Sequence, residues 1–185
     1  MAIRKKSGEL IVRKPIDIFN WQIKPHHLWD KQWLVLTGGD FHTGKYNSMI
    51  VGWGGLGTMW SKPFAIIVVR PQRFTYQFIE QYDSFTLSAL PEKFREGLEL
   101  IGSNSGRDFD KLQKANLTPI PSLQVSAPGI DEANLIIECR KSYWQDMDPS
   151  HFLLSSIKKH YPQNDYHRIY FGEILSVSGT KEFSG

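Results

Sequence analysis

The run "FAIIVVRPQRFTYQFIEQY" at positions 64–82 constrains the fold more than any other stretch. Six apolar residues in a row, four of them β-branched, form a strand with no polar alternation. Such a strand is expected to be buried on both faces. Pro71 ends it. Phe74, Phe78, Ile79 and Tyr82 then recur at helical spacing on one face. A buried strand that breaks directly into a helix demands a sheet with helices set at its ends.

The rest of the chain is strand-rich. "WLVLTGG" (33–39), "YNSMIVGW" (46–53), "FTLSAL" (85–90), "LIIECRKSYW" (135–144) and "HRIYFGEILSV" (167–177) read as strands. "GGLG" (54–57) reads as a break. "EKFREGLELI" (92–101) and "FDKLQKA" (109–115) read as short helices, with Asp108 as cap of the second. "DPSHFLL" (148–154) carries a helix start, with Asp148 as cap and Pro149 inside. Residues 1–32 read as an irregular extension, with Pro15 and Pro25 as breakers. Regular strand–helix alternation is missing, so a mainly β chain, a β-barrel with inserted helices, is expected over 1–185 as one domain.

Charge and cysteine narrow the function classes. Net charge of +3 is too mild to argue for nucleic acid. The basic "IRKK" near the start reads as a solvated tail. The single cysteine, Cys139, leaves no internal disulfide and reads as a small buried hydrophobe. No apolar run approaches the roughly 20 residues of a membrane span. A signal-peptide core is not seen, so the expectation is a cytoplasmic protein. His26 and His27 are adjacent, a poor pairing for joint metal ligation, and no metal is expected.

Four stretches carry candidate chemistry. At the strand-to-helix junction, the first N–H groups of a helix and its dipole attract an anion. Arg70 and Arg73 add fork-shaped donors, and Thr75 a hydroxyl. The alternative is surface arginines and a capping threonine. In "SNSGRDFDK" (103–111), Ser103, Ser105 and Gly106 form a small-residue turn that can present N–H groups to an anion, with Arg107 and Lys111 supplying charge. The alternative is a polar loop before a helix. In "YNSMIVGWGGLG" (46–57), Met49 and Trp53 are large and soft, and the glycines allow close approach of a flat ring; the alternative is a core strand and a turn. In "NDYHRIYFGEI" (164–174), Asp165 and His167 lie two apart, on one side if this is strand, so that Asp165 can orient His167. The alternative is a histidine satisfied in a barrel wall.

In order along the chain, these motifs resemble the flavin reductase-like, FMN-binding split-barrel family, and are most similar to its flavoredoxin-type members. The resemblance spans about 33–177. It implies a Greek-key split barrel that forms a homodimer, with FMN in a groove near the subunit interface. By motif it implies that Asn47, Ser48 and Met49 line the flavin with Trp53 near. It puts Arg70, Arg73 and Thr75 on the phosphate side. It implies that the backbone of Ser88, Ala89 and Leu90 meets the ring, and that Ser103, Ser105, Arg107 and Lys111 lie by the ribityl chain and phosphate. Many members carry Gly-Asp-His on the late strand for pyridine-nucleotide use. Here Tyr166 separates Asp165 from His167, so use of NADH or NADPH is implied less directly than FMN. Three functions are expected to compete. The first is an NAD(P)H-dependent flavin oxidoreductase using Asp165 and His167 to position the nucleotide. The second is an FMN electron carrier reduced by a redox partner protein. The third is a β-barrel that binds single-stranded nucleic acid through aromatic stacking, which the modest charge disfavours.

Overall fold

The apolar runs become strands in the computed structural model, which describes residues 11–184. In chain order they are β1 (Lys14–Pro15), β2 (Leu34–Asp40), β3 (Lys45–Val51), β4 (Gly54–Met59), β5 (Lys62–Val69), β6 (Ser84–Ala89), β7 (Pro119–Ile120), β8 (Gly129–Ile130), β9 (Leu135–Asp146) and β10 (Arg168–Gly179). Helices α1 (Phe74–Gln81), α2 (Arg95–Ser103) and α3 (Lys111–Lys114) interrupt them. The "IRKK" tail lies outside the described residues.

One antiparallel sheet runs β3-β2-β6-β9-β10-β5-β4, with β1 added to β10. β6 returns to lie beside β2, as in a Greek key. β3 and β4 are opposite edges of this order, yet only Gly52 and Trp53 separate them in the chain. Laid flat, six strand spacings would put the edges about 29 Å apart. Three Cα steps reach only about 11 Å. The sheet therefore curls until its edges approach, giving a barrel left open along one seam.

Alternation fills the barrel. Leu34, Leu36, Ile67, Val69, Phe85, Leu87, Ile137 and Tyr170 point inward and are fully buried. Truncating one of them to alanine would cost about 2–5 kcal/mol. A second core forms outside the wall, where Val35 and Ile136 meet Leu98 and Ile101 of α2 and Leu112 of α3. Two cores explain why β2 is buried along nearly its whole length.

Several expectations are corrected. "GGLG" does not break the sheet: it lies within β4 and pairs with β5, Gly55 opposite Ile66 and Gly57 opposite Phe64. An edge strand needs only backbone, and Gly54 must be bare. A Cβ there would stand 2.3 Å from the Ile66 carbonyl oxygen and 2.5 Å from the Trp29 ring. β5 is not buried on both faces. Phe64 and Ile66 are half-buried on the outer side, because the helices pack against β2 and β3 instead. The segment before β2 is less irregular than expected, for β1 pairs with β10 and Leu28 and Trp29 are buried in a helical turn, His27–Gln32. Asp110, not Asp108, caps α3. Asp148 accepts from the Ser150 N–H at 2.8 Å, but the helix it starts is a single turn, Pro149–His151.

Candidate functional site

Three segments enclose a groove of about 900 Å³. β3 contributes Asn47 and Met49. The β5–α1 junction contributes Arg70, Arg73 and Thr75. The stretch from the end of α2 to the start of α3 contributes Ser103, Ser105, Arg107 and Lys111. Nine of the residues singled out in the sequence thus meet in one place. Reasoning from sequence missed Trp33, Ile50, Gln72, Phe74 and Leu98, which also line it. Phe74 stands at helical spacing on the face that α1 turns inward, and nothing in that spacing marks the end that stays partly open; Leu98 lies behind the groove, buried in the second core.

Local contacts fix the walls. Asn47 Nδ2 donates to Thr75 Oγ1 at 2.7 Å, tying β3 to the first turn of α1. Gly106 rests on Asn47, and a Cβ at 106 would stand 2.1 Å from Asn47 Oδ1. The Arg107 guanidinium lies 4.9 Å from the Phe74 ring centre and donates to the Gln72 carbonyl at 3.4 Å. Lys111 Nζ donates to the Ile101 carbonyl at 3.0 Å and the Asn104 carbonyl at 3.2 Å, bracing the end of α2. Ser103 Oγ donates to the Glu99 carbonyl at 2.7 Å, and Ser105 Oγ accepts from the Arg107 N–H at 3.2 Å.

The electrostatics favour an anion. Four basic residues line the groove against one acid, Glu99. Arg73 is exposed at the position just before α1, and among the described residues no carboxylate pairs with it. The first turn of α1 carries no acidic residue, so its N-terminal amides keep their partial positive charge. Burial, and then the charge of Arg73, push the Lys111 ammonium down to about 8.

Arg70 is used differently. Its guanidinium pairs with Asp165, donates to the His160 carbonyl at 2.8 Å and lies 5.2 Å from the Tyr161 ring centre. Gln72 donates to Asp165 as well. The Arg70 hydrogen bond holds the Asp165 carboxyl below the usual range. The orientation of His167 by Asp165 is therefore corrected. His167 Nδ1 is hydrogen-bonded to the Tyr161 hydroxyl at 2.8 Å, and the Trp53 ring covers it at 5.2 Å. Both residues precede β10, so strand alternation does not govern them. Burial, then Arg70, push the imidazole down to about 4, and it is neutral at neutral pH.

The remaining candidates stand apart from the groove. Trp53 is half exposed on the β3–β4 link, 5.5 Å from the His160 ring. Ser48 is buried, with its hydroxyl 2.8 Å from that of Thr37. Ser88, Ala89 and Leu90 are buried. The backbone of Ser88 and Ala89 pairs with β2 on one side and β9 on the other. Ser88 and Ala89 therefore offer no free edge to a ring, which corrects the expectation for them, and the Leu90 carbonyl accepts from Gln32 Nε2 at 3.1 Å. A larger cavity, about 1150 Å³, lies between residues of 11–32, 91–95 and 180–183 and holds none of the candidates. Among the described residues, no cluster of three His, Cys, Asp or Glu is placed to hold a metal, and no helix is long and apolar enough to cross a membrane.

Comparison with known proteins matches this architecture. The profile of the flavin reductase like domain matches residues 33–183. An uncharacterized protein of Pyrococcus abyssi is 24% identical over 155 residues, 82% of this chain and 75% of that protein. The flavoredoxin of Desulfovibrio vulgaris (Miyazaki F) superposes with a TM-score of 0.63 at 20% identity, covering 97% of this chain and 78% of that one. Flavoredoxin from Methanosarcina acetivorans gives 0.65 at 17%, covering 100% and 81%. The NADH:FAD oxidoreductase SgcE6 of Streptomyces globisporus C-1027 gives 0.62 at 16%, covering 83% and 78%. The open barrel is thus the split barrel of these proteins, and the chain belongs to the flavin reductase-like family.

Proposed function

We propose that the chain is an FMN-dependent oxidoreductase with NADH or NADPH as electron donor. The observation that carries this reading is Arg73, a guanidinium with no carboxylate partner among the described residues, at the start of α1 and lining a groove rich in basic residues. The donor set suits FMN. Arg73, Arg107, Lys111 and the first amides of α1 would hold the phosphate. Asn47 keeps the Thr75 wall in place. Met49 and Trp33 supply apolar surface for a flat group. FMN, when bound, supplies the redox chemistry, and the protein's part is to orient it and exclude water.

A second reading is an FMN electron carrier reduced by a partner protein. It is favoured by the engagement of Asp165 with Arg70 and of His167 with Tyr161, which leaves neither free to position a nucleotide. The visible spectrum of the purified protein, followed by stopped-flow mixing with NADH and with NADPH, tests both. Flavin absorbance that bleaches rapidly supports the oxidoreductase. Flavin absorbance without bleaching supports the carrier. A protein that binds no FMN sinks both.

The proposed assembly is a cytoplasmic homodimer. Trp60 and Tyr143 are exposed beside Phe171 on the outer barrel wall, a patch that suits cover by a second subunit. A scattering mass near 21.3 kDa with FMN fully bound would overturn the dimer.

A further inference from the structure

Arg107 crosses the groove at one place. It extends from the segment after α2, lies over Phe74 of α1 and reaches the Gln72 carbonyl before that helix. The preceding residue, Gly106, is seated on Asn47, and Asn47 is bonded to Thr75. Gly106 and Arg107 therefore tie together all three segments that enclose the groove. The same groove holds the first amides of α1 and Arg73, which suit a phosphate. A terminal phosphate can end under Arg107. A phosphate that continues into a second phosphate and an adenosine would meet the Arg107 side chain on its way out.

From this geometry, and resting on the FMN reading above, we infer that Arg107 makes the groove selective for FMN over FAD. Its planar fork does so by lying over Phe74, 4.9 Å from the ring centre, while donating to the Gln72 carbonyl, a pairing that lysine cannot reproduce. Arg107 is exposed and braces no core residue, so its replacement leaves the fold intact.

The test is a fluorescence titration of the whole chain with FMN and with FAD, on wild type, Arg107→Ala and Arg107→Lys. Wild type should bind FMN about tenfold or more tighter than FAD, the size of one lost charge-assisted contact. Arg107→Ala should weaken FMN and narrow the FMN-to-FAD ratio by about fivefold or more, and Arg107→Lys should narrow it too. Equal binding of both flavins by wild type overturns the inference while leaving the FMN reading standing. So does a ratio unchanged in Arg107→Ala, or one fully kept in Arg107→Lys. If wild type binds neither flavin, the FMN reading fails and the inference falls with it.

Discussion

The guanidinium of Arg70 and the carboxylate of Asp165 join the end of β5 to the segment that links β9 and β10. That segment, residues 147–167, packs largely on itself through Phe152, Tyr161 and Tyr166. Arg70 holds it to the barrel at both Asp165 and the His160 carbonyl. Arg70→Ala should therefore speed proteolytic nicking and amide exchange within 147–167, with little change in the ratio of FMN to riboflavin affinity. A selective loss of FMN binding, with no local opening, would show that Arg70 serves the phosphate instead.

Arg73→Ala should have the opposite profile. A charge-assisted hydrogen bond is worth roughly 1.5–3 kcal/mol, about ten- to a hundredfold in affinity. FMN should weaken by that factor and riboflavin, which has no phosphate, should barely change. Parallel titrations of the two ligands check this. Equal losses would assign Arg73 to the fold.

His167 makes stability depend on pH in the acid range. Its ordinary value of 6.5 falls to about 4 in the folded chain, chiefly through burial. Between those values the unfolded chain binds the extra proton, so stability falls as pH drops from 6.5 toward 4, by up to about 3 kcal/mol. Melting curves across this window should slope less for His167→Gln than for wild type. Identical slopes would contradict it.

Lys111 makes anion affinity depend on pH in the basic range. Its charge is lost from about pH 8 upward because burial and Arg73 disfavour it. The phosphate of FMN is fully ionised there, with its second pKa near 6. FMN affinity should thus decline as pH rises through 8, while riboflavin affinity stays level and Lys111→Met loses the slope. An FMN affinity that is flat to pH 9 in wild type would remove Lys111 from the anion site.

The sequence disclosed the sheet better than the site. β2, β5, β9 and β10 announced themselves through β-branched and aromatic runs that no helix could bury. β4 did not, because Gly54, Gly55 and Gly57 form an edge strand from backbone alone and carry no hydrophobic signal. At the groove, Arg73, Thr75, Arg107 and Lys111 were legible from local chemistry, a helix start and a small-residue turn. Arg70 was legible as a cation but not in its partner, since Asp165 lies 95 residues away. Ser88 and Ala89 illustrate the reverse difficulty: only the pairing of β6 on both sides shows that their backbone is spent.

The two-residue link between β3 and β4 also bears on the order of events in folding. β9 and β10 pair along almost their full lengths, a contact between neighbours in the chain, and can form early. β6, β2 and β3 extend that hairpin on one side, and β5 and β4 on the other. The Asn47–Thr75 bond spans these two flanks, from the edge strand β3 to the helix that follows β5. It can form only once the seam has drawn together. Binding competence should accordingly return in the slowest refolding phase, after most tryptophan burial is complete. Stopped-flow refolding in the presence of FMN, with tryptophan and flavin fluorescence recorded together, would time the closure of the barrel by its ligand.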